Sequence, residues 1–248
     1  MNESCVIEGI HSQYQYPILP TGCEVTAVSI LLTYIGLCQE IVSKESLASI
    51  VIKEQDPDYT LNPPIGGNPY RAFIGSPYSK ESFGVFHHPI RELIESICKS
   101  NNSPFHVQDL TIKSNHIHKY TLQDNESAQY ITDRLEYFEN TSNDSIDDSD
   151  IKVLENHLTT HKTPIVIWMT LELKPPRGIT DIWYDVKNPS QPIHWVSPEH
   201  CALLSGYDSE FYYVHDPHTG KRESYDKILF LKRWRQMGRQ AVTVVSSK

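Results

Sequence analysis

Three separated runs of this chain hold the residue types that could do chemistry together: Cys23 in Q-Y-P-I-L-P-T-G-C-E, His200 in P-E-H-C-A-L-L-S-G-Y-D, and Asp216 in Y-Y-V-H-D-P. A thiol is a weak nucleophile until an imidazole takes its proton, and that imidazole needs a third polar group to hold its tautomer. Gln15, ahead of Cys23, carries a side-chain amide that could donate to a developing oxyanion, with Gln13 as the alternative. The set supplies nucleophile, base, orienting group and oxyanion donor once each.

These residues need elements to position them. Val25, Val28, Leu32 and Ile35 recur at helical spacing and predict an amphipathic helix over 23–36, ending at Gly36. Thr21 and Glu24 match a capping box at its start, which puts Cys23 in the first turn, where unpaired N–H groups and the helix dipole favour the thiolate. Gly22 leaves room beside the thiol for a substrate backbone. His200 opens an apolar strand over 200–207 and Asp216 closes the next, over 211–216. Antiparallel pairing through a turn at 208–210 would bring the histidine to the aspartate.

The remaining elements are helices over 43–52, capped by Ser43, over 90–98 and at about 151–160, with strands over 164–170 and 241–245. Helices come first and strands later, which favours an α+β fold over an alternating parallel sheet. Trp168, Trp183 and Trp195 flank the run before His200, and they either pack in the core or line a substrate cleft. Trp168 and Trp195 are the candidate substrate-binding residues among them, with Gly22. The loop 66–78 could cover that cleft, an idea that Phe73→Ala kinetics would test.

Composition narrows the function classes. At 248 residues, with 39% hydrophobic and 21% charged residues, the chain suits one compact domain. A net charge of −9 with scattered Lys and Arg argues against nucleic acid as a partner. The basic run Lys232 to Arg235 reads as a solvated helix face. No apolar stretch approaches bilayer length and the first residues lack a secretory signal, so the expectation is a soluble, cytoplasmic chain unless a signal has been removed from it. Five cysteines, odd in number and irregularly spaced, point to free thiols.

Taken together, these runs resemble the C39-like cysteine peptidase family, a branch of the papain-like fold related to the double-glycine leader peptidases. The resemblance rests on Q-Y-P-I-L-P-T-G-C-E-V-T-A-V-S-I-L-L-T-Y-I-G, on F-G-V-F-H-H-P-I, on P-I-V-I-W-M-T-L-E-L-K-P-P, and on E-H-C-A-L-L-S-G-Y-D followed by Y-Y-V-H-D-P-H-T-G. It covers roughly residues 6–104 and 152–245. It implies an N-terminal helix carrying the nucleophile, packed on an antiparallel sheet. It also implies Cys23 as nucleophile, His200 as base and acid, Asp216 as orienting group, Gln15 as oxyanion donor, no cofactor, and a peptide or protein substrate. Thiol acyl transfer with the same triad, or a silent binding module, are the alternatives. Unlike the leader peptidases, this chain has no membrane-spanning transporter segment.

The stretch at about 105–150 reads as an acidic, flexible insertion. His157 and His161 sit four apart on a helix and could share a metal, but without a third ligand they read as a solvated face, as do His116 and His118. Asn125 and Asn140 match glycosylation acceptors and are assigned no function.

Overall fold

The computed structural model describes residues 4–112, 148–176 and 179–247. In chain order they form β1 (Cys5–Val6), α1 (Cys23–Tyr34), α2 (Gln39–Val42), α3 (Lys44–Ile50), β2 (Lys53–Glu54), β3 (Ile65–Gly66), β4 (Phe73–Ile74), α4 (His87–Ser100) and β5 (Phe105–Asp109). The second half holds α5 (Asp148–His161), β6 (Ile165–Thr170), β7 (Ile179–Asp185), β8 (Asn188–Val196), β9 (Glu199–Tyr207), β10 (Phe211–Asp216), β11 (Lys221–Asp226), α6 (Lys227–Gln236) and β12 (Ala241–Ser246).

The central sheet runs β11-β10-β9-β6-β12-β5, with β1 also paired to β9, and all its pairings are antiparallel. Period-2 alternation along its strands divides the interior in two. Val166, Trp168, Cys201, Leu203, Val242 and Val244 face the α1, α3 and α4 side. Ile165, Ile167, Met169, Ala202 and Leu204 face the α5 and α6 side. Both faces are covered, which is why β6 is buried throughout and apolar without a break from Ile165 to Met169.

The predicted amphipathic α1 is instead buried all round from Cys23 to Leu32. A helix enclosed by sheet, loop and other helices keeps no solvent face, so its polar side chains find partners inside the protein. Thr26 donates to the Gly22 carbonyl, Ser29 pairs with Gln13, and Glu24 accepts from the Val85 amide. The capping box fails for the same reason: Gly22 is the N-cap and no side chain caps the helix. The Thr21 hydroxyl donates to the Ser76 and Ser79 carbonyls instead, tying the helix start to the loop 75–84.

Other expectations shift as well. Residues 105–109 belong to the sheet as β5, and Asp150 of α5 is buried against Arg235 and Arg239, so the insertion is shorter than its sequence suggests. The remainder of that stretch, with His116, His118, Asn125 and Asn140, lies outside the described residues. His157 is buried, held by the Thr163 and Thr243 hydroxyls, and is not on a solvated face. In α6, Trp234 is fully buried and Arg233 donates to the Leu173 carbonyl, so the basic run is half core. The hairpin of β7 and β8 carries Pro189 and Pro192, which hid it from a strand reading.

Candidate active site

The site lies where the N-terminus of α1 meets the start of β9 and the end of β10. The antiparallel β9 and β10 place His215 opposite Leu203. From there the His200 Nε2 reaches the Asp216 Oδ1 at 2.7 Å, with both side chains buried. A carboxylate only accepts, so Nε2 carries the hydrogen and Nδ1 is the nitrogen left for a partner on the far side of the ring. Asp216 also accepts from the His218 amide at 2.7 Å and from the Tyr225 hydroxyl at 2.9 Å. Burial alone would raise this carboxyl, yet the charge and hydrogen bond of His200, with the other two donors, hold it down at about 2.

The loop before α1 is stapled across this pair. The Gln15 backbone N–H donates to the Pro217 carbonyl at 2.9 Å, Ser12 Oγ bonds His215 Nδ1 at 2.6 Å, and the Tyr16 hydroxyl bonds His218 Nδ1 at 3.1 Å. His218 in turn stands edge-on to His200, with ring centroids 6.2 Å apart. Burial raises the Tyr16 phenol, with Cys23, Tyr14 and Asp216 adding to the effect, so this tyrosine feels both nucleophile and orienting group. Sequence reasoning passed over Tyr16, His218 and Tyr225; the first lies beside Gln15 and the second follows Asp216 by two residues, a proximity that would have flagged them.

Cys23 is the first residue of α1 and only 6% exposed. Burial pushes its thiol well up, and nearby Glu24, Glu199 and Cys201 push it further, against an opposing hydrogen bond from the Cys201 amide. The sequence expectation of a thiolate favoured by the helix end is therefore reversed in this resting arrangement. Sγ donates to the Glu24 Oε2 at 3.4 Å, and among the described residues no hydrogen bond joins it to His200. The structure thus joins His200 to Asp216 and joins Cys23 to Glu24.

The other predicted site residues fall differently. The Gln15 amide nitrogen gives its hydrogens to the Leu19 carbonyl at 3.2 Å and the Pro20 carbonyl at 3.0 Å, so it has none to offer an oxyanion. Gln13 is occupied at both ends by Ser29. Gly22 does not open space for substrate: a Cβ there would come within 2.8 Å of the Leu19 Cβ. Trp168 is fully buried with its indole N–H on the Val85 carbonyl, and Trp195 stacks on Phe86 at 5.3 Å, so both belong to the core and not to a cleft wall. Phe73 is also fully buried.

Glu24 and Glu199 are the other residues that sequence reasoning missed, although each adjoins a singled-out residue. Burial drives both carboxyls toward the protonated form, and Glu24 adds to the effect on Glu199. Among the described residues, one ligand-type atom each from Cys23, Glu24 and Glu199 lie within 4.8 Å of one another. That spacing would suit a cation, whose charge would itself ionise the acids and the thiol.

The profile of the Peptidase_C39 like family matches residues 7–242. The chain belongs to this family. It is 27% identical over 235 residues to the uncharacterized protein YvpB of Bacillus subtilis (strain 168), covering 95% of this chain and 73% of that one. Its fold is that of a crystal structure from Bacillus anthracis assigned as a C39-like peptidase, with a TM-score of 0.67, 24% identity, and coverage of 99% of this chain and 98% of the other. The papain-like α+β architecture follows from that match.

Proposed function

We propose that this protein is a thiol hydrolase of the cysteine peptidase type, cleaving a peptide or isopeptide bond through Cys23, His200 and Asp216. The observation that carries the reading is the buried 2.7 Å hydrogen bond between His200 and Asp216. A histidine so held, its second nitrogen left open beside a helix that begins with a cysteine, is equipped to take a thiol proton. Family membership supports the peptidase-like reaction.

In this mechanism Sγ turns from Glu24 toward His200 Nδ1, gives up its proton there, and attacks the carbonyl carbon. The carbonyl electron pair moves onto oxygen, which the Cys23 backbone N–H stabilises at the helix N-terminus. His200 returns the proton to the leaving amine as the C–N bond breaks, leaving a thioester. Water, deprotonated by His200, then releases the acid and the free thiol. Gln15 contributes by bracing the Leu19–Pro20 turn that delivers Cys23.

A fluorogenic peptide library tests this directly. Wild type should release product and Cys23→Ala should not; equal turnover by both would remove the assignment. Adding primary amines and scanning products for new amides separates hydrolysis from acyl transfer.

A further inference from the structure

Behind the thiol lie two acids that take no chemical step in that mechanism, Glu24 fully buried and Glu199 half-buried with one carboxyl oxygen out of reach of solvent. Glu24 Oε1 accepts from the Val85 amide at 2.7 Å, and its Oε2 accepts from Cys23 Sγ at 3.4 Å. Glu199, at the start of β9 and adjacent to His200, has a buried Oε1 with no hydrogen-bond partner among the described residues. The two carboxyls meet around Gly84. A Cβ on Gly84 would fall 2.4 Å from Glu24 Oε1 and 3.3 Å from Glu199 Oε2, so the absence of a side chain there is what admits both. No Lys or Arg among the described residues forms an ion pair with either acid.

Two carboxylates with oxygens within 4.8 Å of one another, largely shielded from water and without a paired Lys or Arg among the described residues, repel strongly, and one proton between them is the arrangement that electrostatics favours. We propose that Glu24 and Glu199 share one proton behind Cys23 and act as positioning residues for its thiol, Glu24 holding the S–H and Glu199 setting the charge on Glu24. The groups that face this pair are Cys23 on α1, and His200 and Cys201 on β9, with Asp216 of β10 and Tyr16 beyond them. Of these only His200 can bring positive charge. When Glu24 carries more of the shared proton, its pull on the S–H weakens and the thiol is freer to pass its proton to His200. When Glu24 is fully ionised, it keeps the thiol protonated and turned away.

The pair therefore predicts opposite effects from two isosteric changes. Glu24→Gln removes the acceptor's charge and offers an amide N–H to sulfur, so the thiolate is favoured. Glu199→Gln removes the group that disfavours charge on Glu24, so Glu24 ionises more readily and holds the thiol harder. The probe is iodoacetamide labelling of Cys23 from about pH 6 to about pH 11, a range that extends above the ordinary thiol value, read by peptide mass spectrometry with the exposed Cys38 as internal reference. Thermal melts of each variant confirm that it is folded.

The expected result is a labelling midpoint moved down by about one pH unit in Glu24→Gln, roughly a tenfold faster reaction near neutrality, and moved up in Glu199→Gln. Shifts in the same direction, as two independent charges would give, overturn the proposal, and so do unchanged midpoints, as a purely structural role would give. Should Glu24→Gln fail to fold, the sign of the Glu199→Gln shift alone decides. The consequence for turnover rests on Cys23 being the nucleophile, but labelling needs no substrate. Opposite shifts in a protein without peptidase activity would sink the catalytic reading and leave the proton pair standing.

Discussion

His200 and Asp216, sixteen residues apart in sequence, meet at 2.7 Å because β9 and β10 run antiparallel and return the chain to its starting edge. Asp216 is fully buried and spends its acceptor capacity on His200, the His218 amide and the Tyr225 hydroxyl. Replacing it by Asn removes the charge that favours the imidazolium and permits the wrong tautomer. Asp216→Asn is expected to lower kcat by about 10³ to 10⁴-fold while the protein stays folded. Steady-state kinetics on a peptide cleaved by wild type, paired with a thermal melt, checks this.

Gly84 has a different duty. Its missing side chain is filled by Glu24 Oε1 on one side and the Trp195 ring on the other. Gly84→Ala should overpack this point and cost about 1 to 3 kcal/mol in urea denaturation. An unchanged midpoint would mean that the two acids can part at no cost.

Phe73, in the loop expected to cover a cleft, sits fully buried in β4 next to Ile74. Phe73→Ala should therefore act on stability, by about 3 to 5 kcal/mol, with KM for peptide unchanged in the folded fraction. Chemical denaturation together with kinetics at low temperature separates the two effects.

His157 supplies the pH prediction. Burial, and then the neighbouring His161, lower it from its ordinary 6.5 to about 4. The unfolded chain binds the proton more readily between those values, so the stability that the neutral ring contributes is complete above about 6.5 and is lost as pH falls toward 4. His157→Gln, which keeps hydrogen-bonding capacity toward Thr163 and Thr243, should flatten the melting temperature over that window. A variant whose curve still falls in parallel with wild type would assign the acid sensitivity elsewhere, with His215, likewise lowered to about 4, the next residue to change.

Much of this protein was legible one residue type at a time. Local periodicity located α1, α3 and β6 with their boundaries nearly right, and Ser43 caps α3 through the Ser46 amide as its sequence position implies. The β9 and β10 strands followed from apolar runs bounded by turn residues. These are effects that act between near neighbours in the chain, so the chain order carries them. The β7 and β8 hairpin escaped because its prolines argue against a strand when nothing else is known.

Burial and the direction of a side chain are set by what arrives from elsewhere in the chain, and there the sequence misled. Thr21 and Glu24 spell a capping box, yet the segment 75–85 packs against them and takes both side chains for its own backbone groups. Gln15 has the chemistry of an oxyanion donor, yet the turn that follows it presents two carbonyls to its amide. Cys23 at a helix start should favour the thiolate, yet enclosure of that start beside Glu24 and Glu199 raises the thiol instead. The sequence determined which groups exist and in what local element each stands. Only the tertiary structure decided which of them meet, because desolvation and the partner at 3 Å, neither of which is a property of chain neighbours, set the charge and direction of every polar group at the site.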